Sequence, residues 1–245
     1  VPSPAPPTRL LFIPLALRGL TLRNRVIKAA TFEAGCDAAG APQPSLIAHH
    51  QEVAAGGTAL TVVAYAAVSP DGKSFGTQLH MAEPARAGLT ALSAAVHSEG
   101  GAVAVQLTHA GSFAKPSLGG CAGAPLAPSR IFNPAGFNFA RAMTRHDMAR
   151  ICTEFGEAAV LAVECGVDAL ELHLGHGCEY SNGPSPRCHL TQTVAVPQTC
   201  SRSSSPPTPT AARTSTAAAY RTGSASRWRF SRTSGDPSGR PCRSS

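Results

Sequence analysis

Two histidines three residues apart, His173 and His176, follow the apolar run Val167-Asp168-Ala169-Leu170-Glu171-Leu172. An imidazole can donate a hydrogen bond, carry a proton or bind a metal, so a spaced pair is a candidate for any of these. The run has the composition of a buried strand, which places the pair at a strand's C-terminal mouth. In parallel α/β proteins the loops leaving strand ends form the crevice where ligands bind. By themselves the two histidines also fit ordinary polar positions at a strand end. A second candidate is Gln106, an amide inside the apolar run Ala102-Val-Ala-Val-Gln-Leu107. A buried amide costs stability unless it is hydrogen-bonded, which favours a site over a plain core position. Adding Cys178 and Cys188 to the histidines would give a nitrogen and sulfur set suited to zinc. That spacing matches no common zinc module and no CxxC occurs, so no metal site is expected. His109 reads as a structural hydrogen-bonding residue, and Thr31 serves equally as a plain strand end or a ligand contact.

Four strands and three helices are required to place these side chains. Arg25 to Ala30 is a short β-rich run closed by Thr31, and Ser45 to Ala55 has helical character with a Ser cap and a Gly56-Gly57 stop. Ala59 to Tyr65 has the β-branched enrichment of a strand covered on both faces, and Ser69-Pro-Asp-Gly72 supplies a turn. Glu83 to Ser98 carries Leu89, Leu92 and Val96 at helical spacing, and Ala102 to Leu107 is a further strand. A Gly/Pro-rich connection runs from Gly111 to Arg141. Thr144 with Asp147 three residues on then signals the start of a helix reaching Cys165, with Gly166 as its stop and Ala169 to His173 as the fourth strand. Strand and helix in strict alternation imply right-handed crossovers and a parallel sheet.

The formal net charge of +7 is unevenly distributed. Residues 1–177 carry equal numbers of basic and acidic side chains, whereas 178–245 carry nine Arg, no Lys and only Glu179 and Asp236 as acids. The basic character therefore belongs to one segment and does not mark the body as binding nucleic acid. Arg227-Trp-Arg229 with Arg232 could meet RNA or a membrane surface, but a solvated coil is the commoner outcome for such a run. Residues 201–245 contain no Val, Ile, Leu or Met, so they bury too little apolar surface to offset about 1–2 kcal/mol of backbone entropy per ordered residue. The expected organisation is a disordered start (1–9), a folded body (10–186) and a disordered Arg/Ser/Pro-rich tail (187–245). The eight cysteines show no regular spacing and are expected to be reduced thiols. The run Leu10 to Leu17 is broken by Pro14 and fits neither a signal peptide nor a membrane span, so a cytoplasmic location is expected.

The body resembles the flavin-dependent Old Yellow Enzyme family, also called the NADH:flavin oxidoreductase/NADH oxidase group. The resemblance rests on Leu11-Phe-Ile-Pro-Leu with Leu20-Thr-Leu-Arg-Asn-Arg-Val-Ile-Lys-Ala-Ala-Thr31, on Val68-Ser-Pro-Asp-Gly72, on Gln106-Leu-Thr-His-Ala-Gly111 and on Gly166 to Gly177. It implies a TIM (β/α)8 barrel of which about four βα units are present, an incomplete barrel followed by a disordered tail. It also implies FMN as cofactor, NADH or NADPH as electron donor, and an unsaturated carbonyl compound as small-molecule substrate. Carried over by position, Ala29, Ala30 and Thr31 lie against the flavin ring, Tyr65 and Ala66 lie beside it, and Gln106 bonds its pyrimidine edge. His173 and His176 hold the substrate's carbonyl oxygen. The family's usual proton donor is a Tyr two residues beyond the second His, where this chain has Cys178. The family's later half has no counterpart here, which suggests a truncated, non-catalytic product as the alternative, with the tail as an out-of-frame or mis-spliced segment. A basic-tail interaction protein is a further alternative. No nucleic acid or membrane partner is expected, and self-association through exposed barrel edges is.

Overall fold

The computed structural model describes residues 8–17, 19–134 and 137–173, together with the backbone of three strands at 192–195, 217–222 and 227–232. A helical turn, α1 (Thr8–Leu11), leads into an antiparallel hairpin of β1 (Leu15–Leu17) and β2 (Leu20–Leu22). Next come β3 (Ile27–Thr31), α2 (Pro44–Ala55), β4 (Leu60–Ala67), α3 (Arg86–Ser98) and β5 (Ala102–Thr108). An excursion holds three short strands, β6 (Leu126–Ala127), β7 (Ile131–Asn133) and β8 (Asn138–Ala142), before α4 (Arg145–Glu164) and β9 (Ala169–Leu172). Strands β3, β4, β5 and β9 pair in that order, all parallel, as the alternating pattern predicts.

Both faces of this sheet are covered, and they are covered by different things. One face carries Val63, Ala66, Val103, Val105, Leu107 and Leu170 against Leu46, Leu89, Leu92, Val96, Ala158 and Ala162 of the helices. Leu89, Leu92 and Val96 are each fully buried, and burial of such side chains contributes about 1.5–3 kcal/mol apiece. The other face carries Leu60, Val62, Ala102, Ala104 and Ala169, closed off by Leu15, Leu20 and Leu22 of the hairpin. Side chains alternate across a strand, so Gln106 shares the face of Ala102 and Ala104, and Glu171 that of Ala169. The polar candidates thus stand on the hairpin-side face, one step beyond its apolar plug.

Arg23 and Asn24 hold the base together. The Arg23 guanidinium donates to the carbonyls of Ala54, Thr58 (2.9 Å) and Glu99 (2.7 Å), and Asn24 Nδ2 donates to Gly57 O at 2.8 Å. A cation set among the carbonyls at the ends of α2 and α3 satisfies orphan acceptors and opposes the helix dipoles. Asp168, 2% exposed just before β9, accepts from Val103 N at 2.9 Å and from His97 Nε2 at 2.7 Å. The Asp168 bond raises the His97 pKa against the opposing effect of burial. A raised folded-state value gives stability that is fully present below the unfolded pKa of about 6.5 and lost as pH rises through the folded value. His97→Ala is therefore expected to lose more stability at pH 5.5 than at pH 9, read as denaturation midpoints across that range. The difference between the two proteins isolates His97 from His50, whose pKa burial holds down to about 3 and whose contribution runs the other way.

Helix starts follow local chemistry with two shifts, at α2 and at α3, where Glu83–Ala85 forms a separate 3-10 turn around Pro84 and the α-helix begins at Arg86. Thr144 and Asp147 form the expected capping box, with Asp147 N donating to Thr144 Oγ1 and Thr144 N to Asp147 Oδ2. Arg141 adds a bidentate pair to the same carboxylate, which lies well below the usual carboxylate range because of these bonds. Thr144→Ala is expected to lower stability by about 1 kcal/mol in chemical denaturation; an unchanged midpoint would mean that the Arg141 pair holds this end alone. In α2 the expected Ser45 cap is corrected to Gln43, because Pro44 occupies the first turn, where its fixed φ and missing N–H cost nothing. Gly166 ends α4's turn at φ +82°.

The chain divides into two units, Val1–Arg202 and Ser203–Ser245. In the first, β10 (Gln192–Ala195) pairs antiparallel with β9. In the second, β11 (Ala217–Thr222) and β12 (Arg227–Arg232) form an antiparallel pair. Strand backbone is thus described at three places within 187–245. Trp228 and Phe230 alternate with arginines in the period-two pattern that suits a strand. The rest of 187–245, like 1–7, lies outside the described residues. Among the described residues no helix is long and apolar enough to cross a membrane.

Candidate active site at the strand ends

Gln106 and Glu171 stand opposite each other on paired strands, and Gln106 Nε2 donates to Glu171 Oε1 at 2.5 Å. Both are buried, so each supplies the partner that the other's burial demands. Gln106 retains its second N–H and its carbonyl oxygen as donor and acceptor for a ligand edge. His173 follows directly after β9, with its backbone N–H bonded to Leu107 O at 3.0 Å, which continues the ladder and fixes where the imidazole leaves the sheet. His176 lies outside the described residues, as do Cys178 and Tyr180.

Tyr65 reaches the same place by a different route. Val63 and Ala66 both pack toward the helices, so the strand register shifts between them, and Tyr65 sits in that bulge at φ +122°. A left-handed φ at a bulky residue costs on the order of 1–3 kcal/mol and persists only where its surroundings enforce it. The enforcing group is Gln78, 0% exposed: its Nε2 donates to Tyr65 O at 2.8 Å, and its Oε1 accepts from Ser74 N (2.8 Å) and Phe75 N (3.2 Å). The Tyr65 ring lies edge to face with His173 at 5.4 Å and with Phe75 at 6.3 Å. Phe75 in turn stacks on Phe32, which follows β3, at 4.4 Å and 25°.

The structure therefore brings together His173, Tyr65 and, on the same face of adjacent strands, Gln106. Ala30 packs on the hairpin-side cluster, and Ala29 and Thr31 are exposed on the edge strand β3. Ala66 is fully buried on the helix side, so any contact from it to a ligand is left to its backbone. Sequence reasoning missed Glu171, Gln78 and Phe75. A lone carboxylate within the run Ala169 to Leu172 was the available signal for Glu171, while nothing local marked Gln78 or Phe75.

The loops above are held by ions. Asp71, in the turn after β4, pairs with Arg150 of α4 at 2.6 Å and receives Ser69 Oγ at 2.7 Å, with His109 Nε2 at 3.7 Å. Burial raises the Asp71 pKa, but the nearby His109 imidazole and the bonds from Arg150 and Ser69 outweigh burial and hold it well below the usual range. His109 Nδ1 accepts from Gly111 N at 3.1 Å, a structural role. Gly72 is required beside it, since a Cβ there would come within 2.7 Å of the His109 ring. Cys36 is a buried thiol whose pKa burial pushes up to about 12, which makes it a poor nucleophile. Among the described residues no group of three or more His, Cys, Asp or Glu is placed to hold a metal.

A parallel sheet with helices on one face, a plugged base on the other and polar groups at the strand ends is the arrangement of part of a parallel α/β barrel. Residues 10–179 match the NADH:flavin oxidoreductase / NADH oxidase family model, and the chain belongs to that family. It is 43% identical over 180 residues to the 4,4'-dithiodibutanoate disulfide reductase of Rhodococcus erythropolis, a match covering 74% of this chain and 44% of that protein. It is 30% identical over 203 residues to the NADPH dehydrogenase of Bacillus licheniformis, covering 76% and 58%. Among solved structures, the old yellow enzyme homologue from Zymomonas mobilis superposes with TM-score 0.62 at 22% identity, over 69% of this chain and 49% of that one. Old Yellow Enzyme from Pichia sp. AKU4542 gives TM-score 0.64 at 21% identity, over 69% and 47%. The fold is the α/β fold of these TIM barrels, and the chain spans about half the length of the curated relatives it matches.

Proposed function

We propose that this chain serves FMN-dependent reduction, in which hydride from NADH or NADPH passes by way of bound FMN to the C=C bond of an unsaturated carbonyl compound. The observation that carries this reading is the cluster on one face of the strand ends, where the buried Gln106–Glu171 pair and His173 stand on adjacent strands. The residues offer a flavin two fits: Gln106 presents donor and acceptor together, and the small Ala30 stands on the same hairpin-side face of the sheet. When bound, FMN supplies the two-electron carrier. The chain's own contribution is to bind and orient the acceptor. His173, with His176, donates hydrogen bonds to the carbonyl oxygen, where negative charge grows as hydride reaches the β-carbon. The α-carbon then takes a proton, which solvent supplies if Cys178 does not. The product is the saturated carbonyl compound, and one NADH or NADPH is oxidised per turnover.

A second reading follows from the 43% identical relative, which is named as a disulfide reductase. Two electrons and two protons delivered to an organic disulfide would yield two thiols at the same strand ends. Incubating the purified chain with FMN, removing the excess by gel filtration and recording the visible spectrum tests both readings. Flavin retained near equimolar is the expected result, and its absence would mean that this chain is non-catalytic. Retained flavin would be followed by assays on an enone and on 4,4'-dithiodibutanoate, and the faster acceptor decides between them. The edge strand β3, with Ile27 49% exposed, is the surface through which self-association is proposed, read by sedimentation velocity.

A further inference from the structure

Four rings run in unbroken contact across the strand ends, from the exit of β3 to the exit of β9. Phe32 stacks on Phe75 at 4.4 Å, Phe75 meets the Tyr65 ring at 6.3 Å, and Tyr65 meets His173 at 5.4 Å. They come from three separate strand exits, so no local sequence pattern creates the row. Two features show that it is held in place and did not arise by collapse. Tyr65 keeps a left-handed backbone that glycine would adopt freely, and the fully buried Gln78 amide ties the Tyr65 carbonyl to the Phe75 N–H through one side chain. The outer rings remain partly open to solvent, Phe32 at 36% and Phe75 at 45%. A partly open row of aromatic rings ending at a hydrogen-bonding imidazole suits a flat π-system with a carbonyl at one end. A saturated ring of the same size could not lie against stacked faces as closely.

We propose that Phe32, Phe75 and Tyr65 form a stacking wall that selects substrates whose alkene is conjugated to an aromatic ring, with His173 at the carbonyl end and Gln78 as the positioning residue. The proposal rests on the enone-reductase reading for the direction in which the ligand lies, but the wall is made of the chain's own side chains and can be tested without flavin.

The test is equilibrium dialysis of the full chain, with and without FMN, against 4-phenyl-3-buten-2-one and its 4-cyclohexyl counterpart. These two ketones share the enone and differ in the flatness of the ring. The wild-type chain is expected to bind the phenyl ketone about fivefold to tenfold more tightly. Tyr65→Gly accepts the backbone without strain and so keeps the fold, and in this variant the preference is expected to fall to near parity. Phe75→Leu, which keeps an apolar side chain, is expected to do the same. Equal affinities in the wild-type chain, a preference for the cyclohexyl ketone, no binding of either, or a phenyl preference that survives both substitutions would each overturn the proposal. Loss of flavin retention with the phenyl preference intact would instead overturn the enone-reductase reading and leave the wall standing.

Discussion

His173→Ala is expected to lower the turnover of an enone by about 10²–10³ while the protein still retains flavin. The argument is electrostatic. As hydride arrives at the β-carbon, the carbonyl oxygen gains charge that the ground state lacks, so a donor aimed at it stabilises the transition state more than the substrate. The His173 backbone is bonded to Leu107 O at 3.0 Å, and its ring lies edge to face with Tyr65 at 5.4 Å, so the imidazole is pre-organised at both ends. The loss should fall mainly on kcat, because the interaction strengthens only as charge develops. His173→Asn, which keeps an N–H donor near the same place, should recover part of the rate. Turnover within threefold of the wild-type protein would remove His173 from the catalytic machinery.

The largest expected effect on stability comes from Asp168→Ala, at about 2–4 kcal/mol. Asp168 is 2% exposed and accepts from the Val103 N–H at 2.9 Å and from His97 Nε2 at 2.7 Å. Its removal strands a fully buried amide at the start of β5, and an unsatisfied buried donor costs about 1–3 kcal/mol before lost packing is added. Asp168→Asn keeps one acceptor for Val103 and is expected to lose less than half as much. Urea denaturation of the three proteins measures this, and equal midpoints for wild type and Asp168→Ala would show that water replaces the carboxylate. The residue lies at the N-terminal ends of the strands, opposite the site, so flavin retention should survive in both variants under native conditions.

The elements with strong local signals were legible. The Thr144 and Asp147 pair announced the start of α4, the stripe Leu89, Leu92 and Val96 announced α3, and the apolar runs of β4, β5 and β9 announced a buried parallel sheet. Where the chain departs from expectation, the competing signal was also local but weaker. Pro44 moved the cap of α2 from Ser45 to Gln43, and the Gly/Pro-rich connection from Gly111 to Arg141 holds β6, β7 and part of β8, strands too short to show a period. Half of the candidate site was legible for the same reason: Gln106 and His173 interrupt or end apolar runs. Which of Tyr65 and Ala66 faces the helices could not be told in sequence, because the register shift that turns Ala66 to the helix side together with Val63 arises in pairing with β5.

The sequence by itself determined the order of the four parallel strands and the three helices between them, the family, and Gln106 and His173 as polar residues at the strand ends. Each of these depends on period, composition or motif within a short stretch. Only the tertiary structure decided that Gln106 is bonded to Glu171, 65 residues away, and that Gln78 holds Tyr65 in a left-handed bulge beside His173. It alone drew Phe32 and Phe75 into one row with them. Those contacts join positions far apart along the chain, and their partners are chosen by strand register and loop packing, which no local propensity encodes.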